Sequence, residues 1–195
     1  MDCSIAIVAL LLLAPIMISI YLLIRVTEGG PALFKQQRVG LGGRMFGCYK
    51  FRSMLPNAEA ALLEYLDRHP EAKFEWETNH KLIKDPRVTA LGQFLRKSSL
   101  DELPQLWNVV VGDMSIVGPR PIVPAEMARY GSVLAHYCSV RPGLTGLWQV
   151  SGRSDCTYPE RVALDARYVE EWTLGQDLLI LVRTIPALAR QRGSY

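Results

Sequence analysis

The feature that most constrains this chain is an uninterrupted apolar run near its N-terminus. No charged residue occurs from Cys3 to Ile24. The segment from Ile5 to Ile24 would form about 30 Å of α-helix, which matches the hydrocarbon thickness of a bilayer. A helix in a soluble core is rarely apolar on every side. The sequence therefore predicts a membrane element over residues 1–28.

Two geometries of this element remain open. Pro15 lies at its centre, where it removes a backbone donor and clashes with the preceding turn, so a kink is expected. A straight span would put Asp2 outside the cell and the following basic residues in the cytosol. A re-entrant hairpin that bends at Pro15 would return both ends to the cytosol. A cleaved secretory signal is disfavoured, because the leading charge is acidic and no convincing cleavage site follows.

Basic residues cluster directly after the apolar run. Six of them and a single acid, Glu28, occur between Arg25 and Met54. Such a cluster favours contact with anionic head groups or phosphates. The net charge of the whole chain is only +3, which argues against a nucleic-acid partner. The four cysteines are scattered without a Cys-x-x-Cys, which argues against zinc or a disulfide framework.

Residues 29–195 are predicted to form one cytosolic α+β domain. Two strands at 32–39 and 44–52 would be joined by a glycine-rich turn at 40–43, and 113–117 is a short strand candidate. Helices are predicted at 57–68 with Asn57 as cap and Pro70 marking the end, and at 89–97, 159–172 and 175–192. The last helix is too short and too charged to span a bilayer, so it lies on the membrane surface or packs on the domain. The predicted fold class is therefore a re-entrant membrane helix and a small β-hairpin with several helices, some amphipathic and interfacial.

Two adjacent carboxylates, Asp101 and Glu102, stand in the densest cluster of polar residues. They come just before Pro104, a residue favoured in the first turn of a helix, so both acids are predicted at or near a helix N-terminus. The partial positive charge there keeps a carboxylate ionised, as a nucleophile requires. Ser99 followed by Glu102 also matches a capping box, in which the acids would only cap a helix.

An adjacent pair of acids can divide the labour at a diphosphate. One attacks phosphorus while the other helps to hold a divalent metal that neutralises the phosphates. Mg²⁺ fits best, because this hard ion binds few protein carboxylates together with substrate oxygens. Cations must offset the repulsion between the acids and a diphosphate, and arginine suits bidentate phosphate contact. The candidate cations are Lys50, Arg52, Arg96, Lys97 and Arg120, the last held stiffly between Pro119 and Pro121.

Four blocks of sequence resemble the bacterial sugar transferase family, the monotopic phosphoglycosyl transferases that start exopolysaccharide and O-antigen assembly on polyprenyl phosphate. They are Gly30-Pro31 with KQQRVGLGG, CYKFRSM at 48–54, DPRVTALGQFLRKSSLDELPQLWNVVVGDMSIVGPRP at 85–121, and RPGLTGLWQVSGRS at 141–154. The resemblance covers nearly the whole chain. It implies a re-entrant helix that dips into the bacterial inner membrane from the cytosol. Family members commonly carry Ser-Pro at the bend, where this chain has Ala14-Pro15.

The resemblance also implies a reaction and its site. Asp101 would be the covalent nucleophile, Glu102 together with Asp101 would hold Mg²⁺, and Arg96 and Arg120 would lie near the phosphates. The donor would be a UDP-sugar and the acceptor undecaprenyl phosphate, with release of UMP. NHKL at 79–82 and the LWQVSGR stretch resemble members that handle galactose or glucose phosphates. Membrane lipids are implied partners, and a homodimer is compatible with the sequence.

Further residues in the matching blocks complete the predicted substrate-binding set: Asp113, Thr145, Gln149 and Arg153. Tyr158, Arg161 and Asp165 either line the sugar site or form an ordinary helix face.

Rival classes fit the sequence less well. A metal-dependent glycosyltransferase would release UDP and usually needs an Asp-x-Asp, which the chain lacks. The nucleophile elbow of serine hydrolases and the phosphate loop of P-loop enzymes are also absent from the sequence. A membrane-tethered scaffold would keep all its activity in cells after Asp101→Asn.

Overall fold

The computed structural model describes residues 2–79, 82, 84–152 and 156–189. Its first elements are helix α1 (Asp2–Thr27), strands β1 (Leu33–Val39) and β2 (Met45–Phe51), and helices α2 (Ala58–Arg68), α3 (Pro70–Asn79), α4 (Ala90–Ser98) and α5 (Gln105–Val110). Strand β3 (Ser115–Val117), helices α6 (Met127–Tyr130) and α7 (Leu134–Cys138), strand β4 (Gly143–Thr145) and helices α8 (Leu147–Ser151), α9 (Tyr158–Glu170) and α10 (Leu174–Ala189) follow. This mixture of helices and small sheets agrees with the predicted fold class.

The predicted hairpin is confirmed. Strands β1 and β2 pair antiparallel from Leu33 opposite Phe51 to Val39 opposite Met45. A single 3₁₀ turn at Leu41–Gly43 joins them, and Gly42 and Gly43 have φ values of 65° and 73°. Glycine adopts this left-handed backbone without a steric cost, which explains why the turn is rich in glycine.

A second, parallel pair of strands carries the Pro119-Arg120-Pro121 run. Strand β3 pairs with β4, with Ser115 opposite Gly143 and Val117 opposite Thr145. The N–H of Gly118 continues the ladder to the carbonyl oxygen of Thr145 at 2.9 Å. Strand β3 was predicted, whereas β4 was not, because three residues that include a glycine carry no periodic signal.

Helix α1 contacts the rest of the domain near both of its ends. Ala6 is buried in the cluster that contains Leu106 and Ile180. Ile20 and Ile24 are buried in a second cluster. Between these ends Leu13 packs against the first cluster, whereas Leu11 and Leu12 on the opposite face are exposed. By length and composition, α1 is able to cross a membrane.

The helix α1 continues through Pro15 without interruption. Proline removes only one backbone donor from a helix of this length, and the hydroxyl of Ser19 donates to the Pro15 carbonyl oxygen at 2.9 Å. A bend that breaks the helix at Pro15, as the hairpin geometry expects, is therefore not seen.

Most other helix predictions hold, with two corrections. Asn57 stands at the start of α2, but its side chain makes no capping hydrogen bond. Helix α2 ends at Arg68 as predicted, but Pro70 begins a further helix, α3, that was not predicted, because proline is tolerated in a first helical turn. Thr89 caps α4 by accepting a hydrogen bond from the Gly92 N–H at 2.9 Å. The predicted end of the last helix at residue 192 and part of the NHKL stretch lie outside the described residues.

Helix α10 is amphipathic, as expected. Ile180 is buried in the main core cluster. Leu178, Val182 and Ile185 are exposed. The helix thus packs on the domain through one face and presents an apolar surface on the other.

Candidate active site

A small cleft opens where β2, the Leu100–Glu102 turn, the Pro119-Arg120-Pro121 run and β4 meet. Its lining consists of Arg38, Cys48, Lys50, Glu102, Gln105, Arg120, Pro121, Gly143, Leu144 and Gln149. Three cations against one carboxylate give this lining a positive balance, which suits a ligand rich in anionic oxygens. Four predicted site residues are among them: Lys50, Glu102, Arg120 and Gln149.

The two adjacent acids share one 3₁₀ turn before α5. Glu102 lines the cleft, whereas Asp101 is only 7% exposed and does not line it. The acids precede α5 and do not lie within its first turn, because Pro104 stands at its N-cap. A phosphate in the cleft would therefore contact Glu102, and Asp101 is the preceding residue of the same turn.

The structure does not contain the capping box that was the alternative for Ser99 and Glu102. Ser99 ends α4 with a left-handed backbone (φ 56°, ψ 16°), and its side chain makes no capping hydrogen bond. Its carbonyl oxygen accepts the Glu102 N–H at 3.2 Å. The N–H of Ser99 donates to the carbonyl oxygen of Arg96, and the Glu102 carboxylate pairs with Lys50 on strand β2.

Glu102 is neutralised by two cations. Lys50 Nζ lies 2.6 Å from Glu102 Oε1, and Arg120 Nη1 lies 3.7 Å from the same oxygen. Burial alone would raise the pKa of Glu102, but Lys50 and then Arg120 outweigh burial and hold this pKa well below its ordinary value. Glu102 is therefore ionised throughout the physiological range.

Asp101 behaves differently from its neighbour. Burial, and then the charge of Glu102, raise the pKa of Asp101 to about 6, although Lys50, Arg96 and Arg120 act in the opposite direction. The expectation that a helix end would hold this carboxylate fully ionised is thus incomplete. At neutral pH Asp101 is mostly ionised, and it is the less acidic member of the pair.

This difference predicts how stability responds to pH. The pKa of Asp101 is about 6 in the folded chain against an ordinary 3.8, so its ionisation opposes folding above that range. The Asp101→Asn variant should melt at a higher temperature than the wild type in EDTA. The gap should widen between about pH 4 and pH 6 and level off above.

Melting temperatures at pH 5 and pH 7.5 in EDTA check this. The variant Asp67→Asn is the matched control, because Asp67 is an exposed aspartate on α2. It should leave the melting temperature unchanged at both pH values. A gap for Asp101→Asn that is the same at both would contradict the assignment.

Arg38 belongs to the cleft, although it was not among the predicted site residues. Its guanidinium donates to the Pro121 carbonyl oxygen at 2.9 Å and to Gln36 Oε1 at 2.6 Å. Burial, and then Arg120, lower the pKa of Arg38 from its ordinary value. The alternation of side chains along the two strands could have identified Arg38 as a site residue, because the hairpin register puts Arg38, Cys48 and Lys50 on one face.

Two arginines that were predicted to bind phosphate make hydrogen bonds elsewhere and do not line the cleft. Arg52 donates to the carbonyl oxygens of Pro31, at 2.6 Å, and Gly29, and lies 3.7 Å from Glu28. It therefore ties β2 to the end of α1 and does not line the cleft. Arg96 Nε donates to Ser53 Oγ at 2.8 Å, and its charge acts on Asp101 from outside the cleft lining.

The remaining predicted substrate-binding residues lie away from the cleft lining or outside the described residues. Asp113 Oδ2 accepts from Asn108 Nδ2 at 3.3 Å. Thr145 Oγ1 lies 2.7 Å from Thr184 Oγ1, which joins β4 to α10. Arg153 lies outside the described residues.

The polar residues of α9 do not form an ordinary helix face. Arg161 and Asp165 are both buried. The Tyr130 hydroxyl donates to Asp165 Oδ2 at 2.7 Å, and burial raises the pKa of Asp165 to about 6. Arg161 lies 3.3 Å from Glu126 and stacks on the aromatic side chain of Trp148, whose neighbour Gln149 lines the cleft.

The acids of the turn fit a hard divalent cation. Within the part of the chain that the structure describes, three or more His, Cys, Asp and Glu side chains nowhere converge as a metal cage. Asp101 and Glu102 supply two carboxylates beside a cationic cleft. Mg²⁺ takes such a donor set when substrate phosphates provide further ligands.

Comparison with known proteins gives consistent matches along the chain. A family model described as bacterial sugar transferase matches residues 1–191. The undecaprenyl-phosphate galactose phosphotransferase of Salmonella typhimurium is 53% identical over 194 residues, which are 99% of this chain and 40% of the relative. The chain thus spans less than half the length of that relative.

Other relatives differ in length and in the activity that their names state. The exopolysaccharide production protein ExoY of Sinorhizobium fredii is 49% identical over 194 residues, or 100% of this chain and 86% of the relative. The UDP-glucose:undecaprenyl-phosphate glucose-1-phosphate transferase of Xanthomonas campestris pv. campestris is 38% identical over 202 residues, covering 100% of this chain and 39% of the relative.

Proposed function

The chain belongs to the bacterial sugar transferase family, and from this premise we propose that it transfers a hexose 1-phosphate from a UDP-sugar to undecaprenyl phosphate. The donor is UDP-galactose or UDP-glucose, the sugars that the names of relatives suggest. The enzyme works at the cytosolic face of the bacterial inner membrane, in the first membrane step of polysaccharide synthesis.

The observation that carries the proposal is the pairing of two acids of unequal acidity with a cationic cleft. Glu102 is held ionised by Lys50 at 2.6 Å, while Asp101 beside it retains the higher pKa. A more basic carboxylate is the better nucleophile, and the cations offset the charge of the diphosphate. This supports Asp101 as the nucleophile and Glu102 as the electrostatic partner.

The proposed reaction has two displacements at one phosphorus atom. A carboxylate oxygen of Asp101 attacks the phosphorus that bears the sugar, and the bond from this phosphorus to the bridging oxygen breaks. UMP leaves with that oxygen and its electron pair, and an acyl phosphosugar remains on Asp101. An oxygen of the lipid phosphate then attacks the same phosphorus, and the bond to Asp101 breaks and restores the carboxylate. One diphosphate is exchanged for another, so the protein mainly positions reactants and neutralises charge.

Residues of the cleft divide the electrostatic work. Lys50, Arg120 and Arg38 neutralise the non-bridging phosphate oxygens, with the two guanidinium groups suited to bidentate contact. The charge of Arg96 favours the ionised form of Asp101. A bound Mg²⁺, held by Glu102 and Asp101, would supply further neutralisation of the diphosphate.

The contacts of α1 support a re-entrant arrangement over a span. At its start, the Ser115 hydroxyl donates to Asp2 Oδ2 at 2.6 Å. At its end, Ile24 is buried with Phe51 and Leu95. Because Ser115 and Phe51 belong to the same domain, these contacts support an arrangement in which both ends of the helix lie on one side of a bilayer, even though the helix is unbroken at Pro15. The exposed apolar residues between them would then enter the membrane from that side.

Labelling with a membrane-impermeant maleimide tests this arrangement. Single-cysteine chains would carry either Cys3 or Glu28→Cys, with the other cysteines replaced by serine. In intact spheroplasts neither position should be labelled, and in inverted membrane vesicles both should be. Glu59→Cys, on exposed α2, serves as the cytosolic control. Labelling of Cys3 from the periplasmic side alone would support a straight span instead.

A donor panel tests the function itself. Detergent-purified protein would be incubated with UDP-galactose, UDP-glucose and other UDP-sugars, with and without undecaprenyl phosphate. We expect release of UMP and a lipid-linked sugar diphosphate with one of the hexose donors. Release of UDP would instead indicate a conventional glycosyltransferase that moves the sugar without its phosphate.

A further inference from the structure

Five side chains alternate as cation and aromatic ring, from the exposed Arg129 through the buried Arg161 to Arg120 in the cleft lining. The guanidinium of Arg129 lies 4.9 Å from the Tyr158 ring centre, and that of Arg161 lies 5.3 Å from the same ring. Arg161 is also 4.9 Å from the Trp148 ring centre, and Arg120 is 5.5 Å from it. All four distances are within the range of cation–π attraction. We call these five residues the cation–aromatic stack.

The interior of the stack is held mainly by ring faces. Arg161 is 9% exposed, and its Nε and Nη2 atoms are buried without a hydrogen-bond partner among the described residues. Its Nη1 atom lies 3.3 Å from Glu126. The indole N–H of Trp148 is likewise buried without a partner in the described part of the chain. The N–H of a buried indole usually has a hydrogen-bond partner. Trp148 is therefore held by the contacts that its ring makes with Arg120 and Arg161, and not by a hydrogen bond of its N–H among the described residues.

Arg120, at one end of the stack, belongs to the cleft lining. Arg120 is about one-third exposed and is held by the Trp148 ring on one side and Glu102 at 3.7 Å on the other. The flanking prolines restrict its backbone but leave a long, flexible side chain. Only the side-chain contacts can therefore define where its charge lies.

We propose that Trp148 and Arg161 are positioning residues for diphosphate binding, in which the indole ring holds the Arg120 guanidinium at the cleft and Arg161 supports the ring from within. The inference rests on the proposed function, because Arg120 is taken to contact the diphosphate of the donor. When the donor binds, Arg120 exchanges its contact with Glu102 for phosphate oxygens. The aromatic contact remains, so less side-chain entropy is lost on binding.

Replacement of Trp148 by leucine and by phenylalanine tests the role of the ring. Affinity for UDP, measured by titration calorimetry on the detergent-purified full chain, reports diphosphate binding without requiring transfer. We expect Trp148→Leu to weaken UDP binding about tenfold, because it removes a partly desolvated cation–π contact. Trp148→Phe keeps a ring and should stay within about threefold of the wild type. Equal losses for both variants would overturn the proposal.

A double-mutant cycle shows whether Trp148 acts through Arg120. In an Arg120→Lys background, the effect of Trp148→Leu should shrink to less than about threefold, because the stacked guanidinium is already gone. A full tenfold effect in that background would mean that Trp148 acts independently of Arg120, and would overturn the assignment.

Fluorinated tryptophans at position 148 give a test that does not depend on whether Trp148→Leu folds. Fluorine leaves the shape of the ring nearly unchanged but withdraws electron density from its face. UDP affinity should decrease stepwise from tryptophan to mono-, di- and trifluorotryptophan, and a flat series would overturn the proposal. Sugar-phosphate transfer by the wild type is measured separately. A wild type that transfers while this series is flat would leave the proposed function intact.

Discussion

The Asp101→Asn variant is expected to lose sugar-phosphate transfer by a factor on the order of 10⁴ or more, while its fold is retained. Asparagine has nearly the same shape as aspartate, but its amide oxygen is a poor nucleophile. The variant also removes a carboxylate that is buried and has a raised pKa, so its melting temperature should not fall. A misfolded protein is thereby distinguished from an inactive one.

The intact mass of the protein makes this test direct. Wild-type protein incubated with donor alone should gain the mass of a hexose phosphate, and Asp101→Asn should gain nothing. The exposed Asp67→Asn variant is the control and should behave like the wild type. Asp101 is 7% exposed and does not line the cleft, so the adduct tests directly whether the donor reaches it. An adduct on another residue, or full transfer by Asp101→Asn, would refute the assignment of the nucleophile.

The Gly146→Ala variant is expected to lower transfer by about 100-fold or more, because it displaces the backbone at Gly118, two residues before Arg120. A Cβ atom at position 146 would lie 2.0 Å from the carbonyl oxygen of Gly118 and 2.9 Å from Gln149 Oε1. Gly118 is backbone in a hydrogen-bonded ladder and cannot move away cheaply, since its N–H donates to Thr145 at 2.9 Å. Overpacking of this kind costs about 3 kcal/mol of unfolding free energy.

The backbone of Gly146 itself is extended, so alanine would meet no conformational strain there. The loss would come from the clash alone. Gly175→Ala is a suitable control, because the nearest atom to its added Cβ is 3.9 Å away and alanine favours a helix. Transfer and melting temperature of both variants check the prediction. A Gly146→Ala variant with normal activity would show that Arg120 does not depend on the close contact between Gly118 and Gly146, which follow β3 and β4.

Local patterns predicted the parts of the fold that arise from nearby residues. The hairpin, its glycine-rich turn and helix α4 were predicted from strand-forming runs, the glycine cluster and apolar residues at helical spacing, all of which act within a few residues. Helix α3 was missed, because Pro70 was interpreted only as the marker that ends α2 and not also as the start of another helix. Strand β4 was missed, because three residues show no periodicity. The formation of β4 depends on a distant part of the chain, because this strand pairs with β3.

The site shows the same division. Its cleft brings together Lys50, Glu102 and Arg120, which the sequence singled out by charge and motif. Arg38 was missed and Arg52 was assigned to phosphate binding, although both are basic residues of one hairpin. They differ because Arg38 lies within β1 on the face of Cys48 and Lys50, whereas Arg52 follows the end of β2 and donates to backbone carbonyl oxygens just after α1.

By itself, the sequence determined a charge-free helix long enough for a bilayer, the acid pair and the basic residues around it, and the order of motifs that marks the family. Composition, period and spacing act along the chain and need no partner. Only the tertiary structure decided which carboxylate is neutralised by Lys50, which arginine lines the cleft, and that both ends of α1 meet one domain. Burial and charge pairing depend on residues that are distant in sequence and adjacent in space.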